Sequence, residues 1–178
     1  MLNLKVLPVA LIVLATFGMI ASADTSPKET TRLDLKGKNV QRQEVNSSLI
    51  GLTSTTVFYT LDDHRVVVAI RIDNTKGFPV SGNVFAFAKD VTAEGIAKWL
   101  NNQHSDGLFP DVPEPKTTAK LPAEACQSLK SKLLGKKTVN DTPYNHYSVE
   151  IKLSEVKVNE QFRLQEHKDT VNVYVVAK

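Results

Sequence analysis

His104, Asp106 and Asp111 fall within one short stretch, WLNNQHSDGLFPDVPEPK, from Trp99 to Lys116. An imidazole and two carboxylates suit a divalent cation, or a water activated for hydrolysis, provided a loop folds them together. Helical spacing does not do this. None of the four histidines, His64, His104, His146 and His167, lies three to five residues from another as a helical zinc pair requires. His64 beside Asp62 and Asp63 reads as a solvated turn, because adjacent turn side chains diverge. No metal site and no cofactor is expected.

The same stretch carries Pro110, Pro113 and Pro115, which cannot continue a helix and stiffen the chain. A semi-rigid loop of about a dozen residues follows, near the length at which loops tend to be functional. Leu108 and Phe109 are its apolar residues and either pin it to the core or form a recognition tip. His104, Asp106, Leu108, Phe109 and Asp111 are therefore the candidate binding residues, with Asn101 to Lys116 as the contact surface.

Familiar catalytic motifs are absent: the chain has no G-x-S-x-G, H-E-x-x-H or C-x-x-C, and Gly135-Lys136-Lys137-Thr138 lacks the upstream glycine of a phosphate loop. Cys126, the single cysteine, would need a nearby base to act as a nucleophile. Its place on an apolar face makes it a small core residue instead. Lys116, Lys120, Lys130, Lys132, Lys136 and Lys137 form a local basic patch opposed only by Glu124, which could bind an anion or acidic polymer but reads first as the solvated edge of a helix.

The elements that would position these residues are mostly strands. Val57, Tyr59 and Leu61 alternate with Thr56, Phe58 and Thr60, Val66, Val68, Ile70 and Ile72 alternate with Val67, Ala69, Arg71 and Asp73, and Val80 to Ala88 follows a turn at Asp73-Asn74-Thr75-Lys76-Gly77. Weaker strands are expected at Leu33 to Lys36 and Val40 to Val45. Short connections make these an antiparallel meander. The period then changes to 3.6: Thr92 caps a helix near 92–102 with Ile96, Trp99 and Leu100 on one face, and Ala125, Cys126, Leu129 and Leu133 predict a second helix near 122–134. Period two returns at Tyr147 to Leu153, Phe162 to Leu164 and Val171 to Val175. The expected fold is mainly β (α+β), an antiparallel β-sandwich-like domain with two helices inserted between the N-terminal meander and the C-terminal strands.

Residues 1–23 read as a secretory signal, with Lys5, an apolar run from Val6 to Ile20, and Ala21-Ser22-Ala23 at the cleavage site. The run is shorter than the roughly 20 residues of a membrane span. A flexible leader at 24–31 and one β-rich domain at 32–178 are expected. No cysteine follows the cut, so no lipid anchor and no stable membrane attachment are expected after processing.

Loss of Lys5 leaves 21 basic against 19 acidic side chains, far from the footprint of a nucleic-acid binder. Two acceptor sequons, at Asn46 and Asn140, matter only where exported chains are glycosylated.

The sequence thus points to a secreted or periplasmic, non-catalytic module that binds a protein or a cell-envelope polymer. The alternatives are a small secreted hydrolase or metal-dependent enzyme using His104, Asp106 and Asp111, and an inhibitor that inserts its proline-rich loop into an enzyme cleft.

Overall fold

The structure, a computed structural model, describes residues 29–49, 52–104 and 111–177. The signal at 1–23 and most of the leader lie outside them. The described chain is mainly β, with three sheets and one helix.

The meander forms over Val40 to Ala86, but the strand expected at Leu33 to Lys36 is instead Thr31–Leu33 and belongs to another sheet. Strands β1 (Thr31–Leu33), β2 (Val40–Leu49), β3 (Leu52–Leu61), β4 (Val66–Asp73) and β5 (Val80–Ala86) come first in the chain. After helix α1 (Ala93–His104) comes β6 (Thr117–Lys120), and β2-β3-β4-β5-β6 lie side by side in one antiparallel sheet. The turn between β3 and β4 uses Arg65 at φ 51°.

Both faces of this sheet are covered, which explains why Val66 to Ile70 is buried without interruption. Val57, Tyr59, Val68, Ile70 and Val84 face the larger core, while Phe58, Val67, Ala69 and Phe85 face α1. Thr92 caps α1 as its sequence predicts, its Oγ1 accepting from the Gly95 N–H at 3.1 Å. Ile96, Trp99 and Leu100 are the buried residues of the helix. Trp99 meets Phe85 and Phe87 at ring-centre distances of 4.9 and 5.3 Å.

The second helix expected near 122–134 is not formed. A single 3-10 turn at Ala123–Ala125 leads into β7 (Cys126–Val139), which pairs antiparallel with β8 (Thr142–Leu153). Asn140 and Asp141 lie between them at φ 48° and 60°. A two-residue hairpin turn of type I′ needs positive φ at both central positions, and Asn and Asp tolerate it best. Leu129 and Leu133 have helical spacing, but β7 has two register shifts, between Ser128 and Lys130 and between Leu133 and Gly135. These shifts scramble a strict period of two and let a short leucine pattern imitate a helix.

Two short strands, β9 (Val156–Lys157) and β10 (Phe162–Leu164), join β1 in a small sheet, with β1 parallel to β10. The last strand, β11 (His167–Val176), lies on β8, giving the order β11-β8-β7. Val149, Ile151, Leu153, Val171 and Val173 of this sheet share one core cluster with the inner residues of β3, β4 and β5, and with Leu33, Phe162 and Leu164.

Candidate interaction surface

Of the candidate binding residues singled out by type and spacing, the structure describes His104 and Asp111. His104 ends α1 with its ring edge-on to Phe58 at 5.2 Å, and it lines a groove of about 680 Å³ with Phe58, Arg71, Phe85 and Trp99. Burial pushes the His104 imidazole below its ordinary value, which favours its uncharged form. Asp111 is exposed at φ 60°. Asp106, Leu108 and Phe109 lie outside the described residues. Among the described residues, no three His, Cys, Asp or Glu side chains are grouped to hold a metal ion. His64 pairs with Asp63 at 3.4 Å on the surface.

Cys126 is 6% exposed at the start of β7, opposite Leu153. Burial pushes its thiol up to about 11, so the thiolate needed for nucleophilic attack is scarce at neutral pH. Labelling with a maleimide or disulfide reagent is expected to be slow in the native protein and rapid after unfolding. Fast native labelling would contradict the burial.

A polar network ties the two larger sheets together. Arg42 Nε on β2 donates to Asp169 Oδ2 on β11 at 2.7 Å, and the Tyr59 hydroxyl donates to the same oxygen. Arg42 also donates through Nη2 to Glu44 Oε2 at 3.0 Å and to the Thr170 carbonyl at 3.2 Å. Glu44 Oε1 accepts from the Asn172 N–H at 2.9 Å. Burial pushes the Asp169 carboxyl up, but the Tyr59 and Arg42 hydrogen bonds outweigh it and hold the group below its ordinary value. The Tyr59 hydroxyl is pushed up by burial and by the neighbouring carboxylate. Two of these bonds, to the Thr170 carbonyl and from the Asn172 N–H, occupy main-chain groups of β11 with β2 side chains. The network therefore joins strand edges. His167, next to it, is 7% exposed with its ring edge-on to Tyr59 at 5.1 Å, and burial pushes its imidazole down.

The surface that stands out is the β7–β8 hairpin. From Leu129 to Asn140 every residue of β7 and its turn is exposed, including Leu129 at 47%, Leu133 at 54%, Leu134 at 50% and Val139 at 43%. Among the described residues no strand pairs with the side of β7 away from β8. The pairing register sets its faces. Ser131 opposes buried Val149, and Leu133 opposes Tyr147, which packs on Phe78 at 5.3 Å. Lys130, Lys132 and Lys137 lie opposite Glu150, Ser148 and Tyr144, on the outward face. Lys137 Nζ lies 5.3 Å from the ring centre of Tyr174, and Tyr174 stacks on His146 at 4.6 Å.

The basic patch foreseen on a helix edge is thus in part a row along a strand. Sequence reasoning missed this surface, although Asn140-Asp141 between two strand-length runs signals a hairpin. The sequons converge as well: Asn46 and Asn140 line one cavity of about 370 Å³ with Tyr144, Tyr174 and Lys137.

Compared with models of protein families, with curated proteins and with solved structures, the chain matches none.

Proposed function

We propose that this chain is an exported, non-catalytic binding module whose two larger antiparallel sheets pack in a sandwich-like manner, and that it engages a protein or cell-envelope polymer through the β7–β8 hairpin. Its carrying observation is the exposed strand β7, 14 residues long, with three leucines about half exposed and one edge unpaired by any described strand. Folded proteins blunt or cover long apolar strand edges, and one left open marks an interaction site or an aggregation hazard. Export is supported by the sequence of residues 1–23, and no helix among the described residues is long and apolar enough to cross a membrane.

An enzyme would instead gather perturbed titratable groups in a cleft. Here the perturbed Tyr59, Asp169 and Arg42 are spent on bonding one another and the edge of β11. Of the loop at Asn101 to Lys116, the described ends contribute His104, with its uncharged form favoured, and an exposed Asp111, which is less than the hairpin offers.

The test is a Leu129→Ser, Leu133→Ser, Leu134→Ser variant, compared with the wild type for stability and for the partners that co-purify from the exported fraction of its source. Exposed positions cost little, within about 0.5 kcal/mol each, so the unfolding midpoint should move only slightly. The partners should be lost. Retention of the same partners by a folded variant would refute the hairpin as the contact surface. A loss of several kcal/mol would show that the leucines are packed in the native protein.

A further inference from the structure

We infer that the free edge of β7 accepts an extended acidic segment of a partner protein as an added antiparallel or parallel strand, with its carboxylates on the outward face. This rests on the hairpin being the contact surface and goes on to name what occupies it.

Between Cys126 and Val139 the strand carries Lys130, Lys132, Lys136 and Lys137 and no acidic residue. The register places Lys130, Lys132 and Lys137 on one face, since their β8 partners Glu150, Ser148 and Tyr144 alternate with inward Val149 and Tyr147. A strand added beside β7 would run its own side chains alternately over the two faces. Its outward residues would meet Lys130 and Lys132, while Lys137 reaches across β8 to the Tyr174 ring and would have to swing back to join them, and its inward residues would extend the apolar ground of Leu133 and Tyr147. The fitting segment therefore alternates Glu or Asp with Val, Thr or Ile.

A second copy of the chain fits poorly when it pairs about the middle of β7. Antiparallel self-pairing centred on Leu133 and Leu134 sets Lys130 opposite Lys137, and like charges directly opposite destabilise a pair. Lysines and bulges on an edge strand discourage indiscriminate pairing. On β7 they disfavour basic strands while leaving acidic strands favoured, so repulsion supplies the selectivity. Main-chain hydrogen bonds would provide affinity whatever the sequence, as in other strand-addition complexes.

The probe is a labelled peptide of about eight residues, a usual strand length, alternating Glu with Thr and Val. A peptide with Lys in place of Glu serves as control. Binding to the full chain is followed by fluorescence anisotropy, and amide hydrogen exchange is followed along residues 129–139. The Glu peptide should bind, weaken with added salt and slow exchange in β7, while the Lys peptide should not bind.

A Lys130→Glu, Lys132→Glu, Lys137→Glu variant should lose the Glu peptide by about tenfold or more and gain the Lys peptide, a reversal that unfolding cannot produce. Equal binding of both peptides, or no change in β7 exchange, would overturn the inference. So would lysine-dependent binding to phosphatidylglycerol vesicles without peptide binding, or self-association through β7 in sedimentation experiments. If the serine variant still loses its partners while the Glu peptide fails, the hairpin surface stands and only its acidic-strand occupant falls.

Discussion

Trp99→Ala should cost about 3 to 5 kcal/mol of folding stability, a large part of the roughly 5 to 15 kcal/mol that holds a domain together. Trp99 is 4% exposed and fills the space between α1 and the outward face of the five-stranded sheet, touching Phe85 and Phe87. Truncation to alanine removes the indole's burial and leaves a cavity that a single helix on a flat sheet fills only in part. At about 2 to 4 °C per kcal/mol for a chain of this size, the thermal midpoint should fall by roughly 10 °C. Circular dichroism measures it, since the variant lacks the chain's single tryptophan.

The loss should also be local in its first effects. The cluster holding Trp99 contains Phe58, Val67, Ala69, Phe87, Ile96 and Leu100 and is separate from the core beneath the sheet. Amide exchange in α1 should therefore accelerate before exchange in β8 and β11. A cost below about 1 kcal/mol would mean that the helix does not depend on this contact.

Asp169→Ala should also destabilise the fold, at about 2 kcal/mol. It strips the acceptor from both Arg42 and the Tyr59 hydroxyl, leaving a cation and a part-buried phenol without their shared partner. Breaking a fully buried ion pair costs about 3 to 5 kcal/mol, but the Arg42 side chain is 37% exposed and solvent screens part of the loss.

The same bond has a pH signature. The folded protein holds the Asp169 carboxyl below its ordinary value of 3.8, so the ionised form is the one that folding favours. Its stabilisation is present in full above that value and is lost as pH falls through the lower folded-state value. The stability gap between wild type and Asp169→Asn should hold steady from neutral pH to about pH 5 and narrow below about pH 4. A gap that stays constant into strong acid would show that Asp169 carries no such charge-dependent bond.

Elements whose partners lie near in the chain are legible in the amino-acid order. Val66 to Ile70 is an unbroken apolar run because both faces of its sheet are covered, the flanking strands show the period of two, and short turns leave antiparallel pairing as the outcome, as β3, β4 and β5 show. Thr92 and the Ile96, Trp99 and Leu100 face fix α1 through a local cap and a local period.

Tertiary structure decided the rest. Leu129 and Leu133 are compatible with a helix by local rules, and only pairing of β7 with β8 makes the segment a strand, because its bulges erase the period that would have announced it. The same pairing turns a basic patch into a row of lysines along an open edge. Asp169 and Arg42 lie 127 positions apart, and no spacing rule connects them. A site made of one strand's unpaired edge has no motif, since its hydrogen-bonding groups belong to the backbone and its position at the edge depends on which strands lie beside it.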